Sequence, residues 1–177
     1  MCLSAKAKQD FLELNLESLN QPEKMASFCH DQSTLPAKKL PWAVVFPHSH
    51  EQVLLLVKWA NDYSVALLVS GGRTGLSGGA VLVNESLIVS LEKMQRLLSF
   101  DNYSPSMTIE AGMPIAKLQA LAQEQKLQYP VDYASRDGAQ IGGAVATNAG
   151  GIRVVKYGMT RHWVLGLKAV TGSGEEL

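Results

Sequence analysis

Five glycines between positions 71 and 79 form the densest group of residues in the sequence that could bind a ligand. Glycine lets the backbone adopt positive φ and approach a ligand closely, and successive N–H groups in such a turn form a concave anion site. Thr74 and Ser77 add hydroxyl donors, and Arg73 adds a positive charge suited to phosphate. The segment therefore predicts a cradle for a pyrophosphate.

Two familiar phosphate-binding loops do not fit this segment. A Walker A loop ends in Gly-Lys-Ser or Gly-Lys-Thr, which is absent here. A dinucleotide fingerprint opens a helix, whereas residues 80–85 have the composition of extended chain. The loop itself must then supply the donors, although a glycine-rich turn without a ligand stays open as an alternative.

A second glycine-rich stretch, from Gly138 to Gly151, has small residues at nearly every position. Bulky side chains are missing where a flat or extended group must lie close to the backbone. Thr147 and Asn148 could bind its polar edges, although glycine pairs also permit tight packing of the chain against itself. Two such loops favour a long cofactor in a groove between two lobes.

The elements around the first loop predict a small parallel β-α-β lobe. Ser49 and Gln52 form a capping box at the start of a helix that carries Val53, Leu54, Val57 and Ala60 at helical spacing. The predicted strands around it are 43–46, 66–69 and 87–91.

The second half predicts a larger lobe of mixed strands flanked by helices. Strands at 97–100 and 107–111 are joined by a turn, and a helix opens at Pro114. Residues 164–171 are typical of a strand, and a turn at 172–174 requires a returning strand for which little chain remains. The expectation is a C-terminally truncated chain.

Composition narrows the class of protein. Apolar residues make up 46% and charged residues 18%, which suits the well-buried core of the α+β domain that these elements predict, and the zero net charge argues against a nucleic-acid partner. No apolar run reaches the length of a membrane span, and the N-terminus lacks the pattern of a signal peptide. Cys2 and Cys29 make no disulfide framework, and Cys29-His30 has no matching second pair for a zinc site. His48 and His50 flank the capping Ser49, which favours a solvated helix entry over metal ligands. We expect a cytoplasmic chain with a helical lead-in at 1–40 and a domain at 41–177.

The ordered motifs resemble the PCMH-type FAD-binding domain of the vanillyl-alcohol-oxidase superfamily. The similarity covers residues 40–177 and is greatest to the branch of the glycolate oxidase flavoprotein subunit, D-lactate dehydrogenases and D-2-hydroxyglutarate dehydrogenase. The motifs that carry it are 71–79, Glu110-Ala111-Gly112, Pro130-x-Asp132-x-x-Ser135, 141–151, Lys156-Tyr157-Gly158 and 164–167.

The resemblance implies FAD as the cofactor and assigns the two loops different parts of it. The residues implied at the pyrophosphate are Gly71, Gly72, Thr74, Gly75, Leu76, Ser77, Gly78 and Gly79, and we add Arg73 for its charge. Those implied at the flavin and its ribityl chain are Pro130, Asp132, Ser135, Ile141, Gly142, Gly143, Thr147, Asn148, Gly150, Gly151, Tyr157 and Gly158. Some relatives attach FAD covalently through a histidine or cysteine in these loops; neither loop contains one, so we expect non-covalent FAD.

The implied reaction is oxidation of a small 2-hydroxy acid by hydride transfer to flavin N5, with electrons passing to a quinone, an electron-transfer protein or oxygen. The catalytic residues are unknown, since relatives bind the substrate and any metal in a C-terminal cap domain, and His162 stands where this branch often has aspartate. Attachment of the full-length protein to a membrane periphery stays open. Two alternatives also remain: a reductase of the kind that makes UDP-N-acetylmuramate, which NADPH would reduce, and a non-catalytic flavin- or nucleotide-binding module.

Overall fold

The computed structural model of the protein describes residues 3–177 and has the predicted mixture of helices and strands. The chain divides into two compact units. Unit 1 contains the chain up to Lys93 together with Leu167–Leu177, and unit 2 contains Met94–Gly166. No helix in residues 3–177 is long and apolar enough to cross a membrane.

Unit 1 is built on a four-stranded sheet in which three parallel strands confirm the predicted β-α-β arrangement. Strands β2, β4 and β3 are parallel neighbours, and β1 adds an antiparallel edge next to β2. Their bounds are Glu17–Leu19 for β1, Val44–Phe46 for β2, Leu67–Ser70 for β3 and Leu87–Ser90 for β4. The sequence did not predict β1, which is only three residues long and lies within the expected helical lead-in.

The N-terminal helix α1, Ala5–Glu13, packs into the core of unit 1 instead of preceding it. Its buried residues are Ala7 and Phe11, which are four positions apart and so share one face, and Leu3 just before the helix is buried in the same core. The Phe11 ring lies 4.8 Å from that of Trp42. Irregular spacing of the leucines that follow had obscured this face. The next helix, α2, is a single turn at Pro22–Met25 and continues into a 3₁₀ turn at residues 26–28.

Helix α3, His50–Asp62, connects β2 to β3 and begins at the predicted cap. The Ser49 hydroxyl accepts a hydrogen bond from the Gln52 backbone at 3.3 Å, while Gln52 Oε1 accepts from the N–H of His48, one residue before the cap. The buried residues are Leu56, Trp59 and Ala60. Ala60 was predicted on the buried face, whereas Val53, Leu54 and Val57 are only half-buried, so the face toward the sheet is rotated from the predicted one.

Unit 2 contains a hairpin and three helices. Strands β5, Leu97–Asp101, and β6, Ser106–Ile109, pair antiparallel, which confirms the predicted hairpin. Helix α4, Ile115–Glu124, is also confirmed, with Pro114 as its N-cap. Two short helices that the sequence did not predict follow, α5 at Ile141–Ala146 within the second glycine stretch and α6 at Val154–Tyr157 just after it. A 3₁₀ turn comes next at residues 160–163.

The predicted strand at 164–171 is wrong. Residues 164–169 form no regular element, and Leu165 and Leu167 are 82% and 66% exposed, so an extended strand there would gain little from burial. The predicted turn at 172–174 does form, and the chain returns through it. Ala169 and Leu177 exchange backbone hydrogen bonds of 3.0 and 2.9 Å, so the expectation of a turn without a returning chain was also wrong.

Candidate cofactor site

The first glycine loop follows β3 directly at Ser70, at the carboxyl end of a parallel strand, where open α/β sheets bind ligands. Residues 71–86 contain no helix or strand, as predicted for 80–85. No helix dipole is therefore available to attract an anion. Whatever binds here must be held by the loop's own backbone and side chains.

The backbone N–H groups of this loop are available to a ligand. None of the N–H groups of residues 71–77 donates a hydrogen bond to any acceptor in residues 3–177, although residues 71–74 are half-buried. A run of seven donors without a protein partner is the arrangement that binds an anion with several oxygens.

Three carbonyl groups of the same loop are paired within the chain. Gly71 O accepts from Arg73 Nη1 at 3.2 Å, Gly75 O from Gln32 N at 2.9 Å, and Gly78 O from Val81 N at 3.1 Å. In a trans peptide the C=O and the following N–H point in opposite directions, and the described chain has no cis peptide. The amides that follow these carbonyls are therefore turned away from the protein partners. These backbone C=O groups of the loop are thus bonded within the protein, and the N–H groups that follow them stay accessible.

Arg73, predicted to bind phosphate, is placed differently in the structure. It has φ of 55°, its guanidinium lies 4.5 Å from the centroid of the Phe28 ring, and it bonds to Gly71 O. Arg73 thus holds the loop in shape through a planar cation that stacks and donates at once. Its contact with a phosphate stays a prediction.

The glycines of the first loop differ in what surrounds them. A Cβ at Gly79 would meet nothing within 4 Å, whereas a Cβ at Gly78 would collide with Leu35, and Gly78 has φ of +81°. Gly78 is therefore required by the fold of unit 1. Gly79 has no such need, and the space beside it is open to a ligand.

The second glycine stretch divides in the same way. A Cβ at Gly142 would lie 2.8 Å from the Ala111 side chain, and a Cβ at Gly151 would collide with the backbone of Asp132. These two glycines allow backbone segments of unit 2 to approach each other, which was the alternative left open by the sequence. Gly143, by contrast, has nothing within 4 Å of its Cβ position. Of these three, it is the glycine whose open side leaves room for a flat group.

Thr147 and Asn148 form the end of helix α5. Asn148 has φ of 49°, and the bonds Ala149 N to Ala144 O and Asn148 N to Val145 O, of 2.8 and 3.1 Å, define a Schellman motif. Asn148 Oδ1 accepts from Arg161 N at 3.1 Å, and Thr147 Oγ1 donates to Gly143 O at 2.9 Å. Both side chains thus form hydrogen bonds that stabilise the end of α5. Their contacts with a cofactor remain a prediction.

Three further predicted residues lie on the loop that leads to α5. Pro130 is buried, and Asp132 accepts at its backbone oxygen from Ile152 N at 2.8 Å and at its carboxylate from Arg136 at 3.4 Å. The backbone oxygen of Ser135 accepts from Ala139 N at 2.8 Å. The structure thereby connects this loop directly to the second glycine stretch.

Tyr157 and Gly158 end helix α6 and define a turn near His162. Tyr157 is half-buried, and its backbone oxygen accepts from Trp163 Nε1 at 3.0 Å. Gly158 has φ of 73°, and a side chain there would collide with His162, whose Nδ1 accepts from Met159 N at 3.1 Å. His162 therefore serves the backbone of this turn through Nδ1.

The sequence reasoning assigned no function to Glu110, which the structure identifies as a buried structural anion. Arg96 donates to Glu110 Oε1 from Nη2 at 2.7 Å, and Arg96 N donates to Oε2 at 2.7 Å. Burial raises the pKa of Glu110, but the hydrogen bonds and charge of Arg96 outweigh it and lower the pKa below its usual value. The next residue, Ala111, accepts from Gly142 N at 2.8 Å, so the pair supports the start of α5.

Potential metal ligands and one buried phenol near these loops can be assessed directly. Residues 3–177 hold no cluster of three possible metal ligands. Burial raises the pKa of Tyr133, which packs beside α5, to about 12, so its phenol stays protonated at neutral pH. What the two loops offer is binding: amide donors in unit 1 and a small-residue surface in unit 2.

Comparison with known proteins identifies the class. The FAD binding domain family model FAD_binding_4 matches residues 41–177, and the chain belongs to this family. Its cofactor is FAD, and the predicted membership of the vanillyl-alcohol-oxidase superfamily is confirmed. A solved structure, alkyldihydroxyacetonephosphate synthase, matches with a TM-score of 0.90 over 99% of this chain and 38% of its own at 22% identity, which supports the fold.

Two relatives in sequence carry the names of 2-hydroxy acid dehydrogenases. D-2-hydroxyglutarate dehydrogenase of Xanthomonas citri pv. viticola is 54% identical over 77% of this chain and 29% of its own length. D-lactate dehydrogenase of Anaerostipes hadrus is 39% identical over 84% of this chain and 31% of its own. The chain thus spans less than a third of either relative, and the predicted branch of the superfamily is confirmed.

Proposed function

We propose that the chain is the FAD-binding part of a dehydrogenase that oxidises a 2-hydroxy acid of the D-2-hydroxyglutarate or D-lactate type. The observation that carries the binding role is the run of seven backbone donors at residues 71–77 without a partner in the described chain. The names of the two relatives support the substrate class. They favour it over a muramate-forming reductase and over a module without activity.

The residues present fit the cofactor. The amides of residues 71–77 are suited to the pyrophosphate because they have no acceptor in the described chain, while the carbonyls of Gly71 and Gly75 are already paired. The open side of Gly143 is suited to the flavin half, since a flat ring can approach a backbone that carries no side chain. Bound FAD supplies the hydride acceptor, flavin N5. This chain supplies the binding and orientation of FAD. Its proposed partners are a small 2-hydroxy acid and an electron acceptor, which is a quinone, an electron-transfer protein or oxygen.

Anaerobic titration of the purified full-length flavoprotein tests the proposal. D-2-hydroxyglutarate, D-lactate and glycolate are added in separate experiments while the flavin absorbance is followed, and NADPH serves as the control reductant. We expect stoichiometric bleaching by at least one 2-hydroxy acid and none by NADPH. Bleaching by NADPH alone would favour the reductase, and a flavin that no 2-hydroxy acid reduces would refute the dehydrogenase.

A further inference from the structure

A segment of unit 1 that precedes the first strand of the β-α-β arrangement lies against the first glycine loop. This segment, residues 28–38, is bonded at both ends to Leu82, which is buried just beyond the loop. Leu82 N donates to Cys29 O at 3.0 Å, and Lys38 N donates to Leu82 O at 3.0 Å. The 28–38 segment is therefore fixed to the chain that leaves the loop.

Between these two anchors the 28–38 segment bonds to the loop itself. Gln32 N donates to Gly75 O at 2.9 Å. The Asp31 carboxylate accepts from Ala80 N at 3.5 Å through Oδ2 and also from the N–H of Gly78, while its Oδ1 accepts from Ser33 N at 2.8 Å. One carboxylate thus connects the segment to the last amides of the glycine loop.

These bonds divide the amides of the loop into two sets. The N–H groups of residues 71–77 and of Gly79 have no acceptor in the described chain, whereas those of Gly78 and Ala80 point to the Asp31 carboxylate. At 3.5 Å the Ala80 bond is long, but both amides point at an ionised acceptor, and together they give the loop end a fixed partner. The carboxylate can therefore fix the end of a loop whose glycines would otherwise have wide conformational freedom.

We propose that Asp31 is a positioning residue for the pyrophosphate of FAD: by bonding the amides of Gly78 and Ala80, it holds the amides of residues 71–77 in the arrangement that binds phosphate oxygens. The inference rests on the proposed function of the loop. Asp31 does not touch the phosphate; it acts through the backbone of the loop.

The charge of Asp31 agrees with this role. Burial raises the pKa of the Asp31 carboxyl, but hydrogen bonds from Ser33, Ala80 and Gly78 outweigh it and lower the pKa below its usual value. The side chain is therefore ionised at neutral pH. If Asp31 instead lay close to the phosphates, its negative charge would weaken FAD binding. Removing the charge would then tighten FAD binding, whereas the positioning role predicts that it weakens.

The test compares Asp31→Ala and Asp31→Asn with the wild type in the full-length protein. Apoprotein is prepared, and dissociation constants are measured for FAD by fluorescence quenching, for ADP by displacement of FAD, and for riboflavin, which lacks the pyrophosphate. Asp62→Ala, which removes an exposed carboxylate from the end of α3, is the matched control for charge. Circular dichroism of each variant reports whether the fold is retained.

We expect Asp31→Ala to weaken FAD and ADP binding by about tenfold each, the size typical of losing hydrogen bonds to a charged group. Asp31→Asn retains one acceptor oxygen and should fall between Asp31→Ala and the wild type. Riboflavin affinity should stay within about twofold in both variants, since only the phosphate side of the site changes. Asp62→Ala should bind all three ligands as the wild type does.

Three outcomes would overturn the positioning role. Unchanged FAD affinity in Asp31→Ala would show that the loop keeps its shape without the carboxylate. Tighter FAD binding in both variants would show that the charge opposes the phosphate. An equal loss of riboflavin affinity would show a general effect on folding. If ADP fails to displace FAD from the wild type, the proposed function of the loop itself is refuted, and the role of Asp31 with it.

Discussion

At the scale of single residues, the glycines of the two loops differ in whether the fold requires glycine at their position. A glycine with positive φ or a crowded Cβ position is needed by the chain, and one with open space is not. Gly78 belongs to the first kind and Gly79 to the second. We predict that Gly79→Ala weakens FAD binding by about tenfold or more, because the methyl group occupies the space proposed for a phosphate, while stability changes by less than about 1 kcal/mol.

Isothermal titration with FAD and urea unfolding check this prediction. Gly172→Ala is the control, since Gly172 also has nothing within 4 Å of its Cβ position but lies in the C-terminal turn. Gly78→Ala should instead lower stability by about 1–2 kcal/mol through its left-handed backbone, with a further loss from the Leu35 contact. Equal FAD affinity in Gly79→Ala and the wild type would show that no phosphate lies beside Gly79.

The sequence predicted where the glycines cluster but not why each one is there. Glycine spacing and hydroxyl content are local properties, so both loops could be located from the sequence alone. The partners that require Gly142 and Gly151 are Ala111 and Asp132, which are distant in sequence. A contact of this kind follows from the tertiary fold, and the small-residue stretch could not show which of its glycines faced another backbone.

Among the elements, the β5–β6 hairpin is closed by the ion pair of Glu110 and Arg96, and its contribution to stability should depend on pH. Because the folded pKa of Glu110 is lowered, its stabilisation is present above the unfolded value of about 4.3 and is lost as pH falls through the folded pKa. We predict that Glu110→Gln lowers the free energy of unfolding by about 1–3 kcal/mol at pH 7.

Urea unfolding from pH 7 down to pH 3 checks the sign. The difference between the wild type and Glu110→Gln should be constant above about pH 5 and shrink below it. Glu124→Gln changes an exposed glutamate of α4 in the same unit and should alter stability by less than about 0.5 kcal/mol. A difference that stays the same at every pH would mean that the glutamate stabilises by shape alone.

The end of α5 gives a second prediction about an element. Asn148 is held at φ of 49°, where glycine is free of strain and alanine is not. We predict that Asn148→Ala lowers stability by about 1–2 kcal/mol through its backbone, with a further loss of the bond to Arg161. Asn148→Gly should lose less, because only the side-chain bond disappears. Chemical denaturation of both variants measures the order, and equal losses would contradict a backbone role for this residue.

Elements with strong local patterns were predicted well, and those fixed by distant contacts were not. Helix α3 begins at its serine cap, and the parallel strands consist of short apolar runs, so both could be identified. Strand β1 exists because it pairs with β2, and residues 164–171 fail to form a strand despite apolar composition. In both cases the presence of a neighbouring strand determines whether a strand forms, and local composition carries no information about that neighbour.

For the molecule as a whole, the residue types of the two glycine loops bear on how FAD is held. Covalent attachment needs a reactive histidine or cysteine, and the glycine loops contain neither. Burial raises the pKa of Cys29, which stays a protonated thiol in the core of unit 1, and His48 and His50 lie 2.7 and 3.2 Å from Glu17 and Glu176. Cys2 lies outside the described residues. We propose on this basis that FAD is bound without a covalent bond.

The corresponding prediction concerns the purified full-length protein. Trichloroacetic acid or heat should release all of the flavin absorbance into the supernatant and leave the precipitated polypeptide colourless, because hydrogen bonds to backbone amides do not survive unfolding. Removal of FAD should also lower the melting temperature, and added FAD should restore it in a concentration-dependent manner, as expected for a ligand that binds only the native state. Flavin fluorescence that remains with the washed precipitate would contradict non-covalent binding and would direct the search for the attachment residue to parts of the protein beyond the two glycine loops.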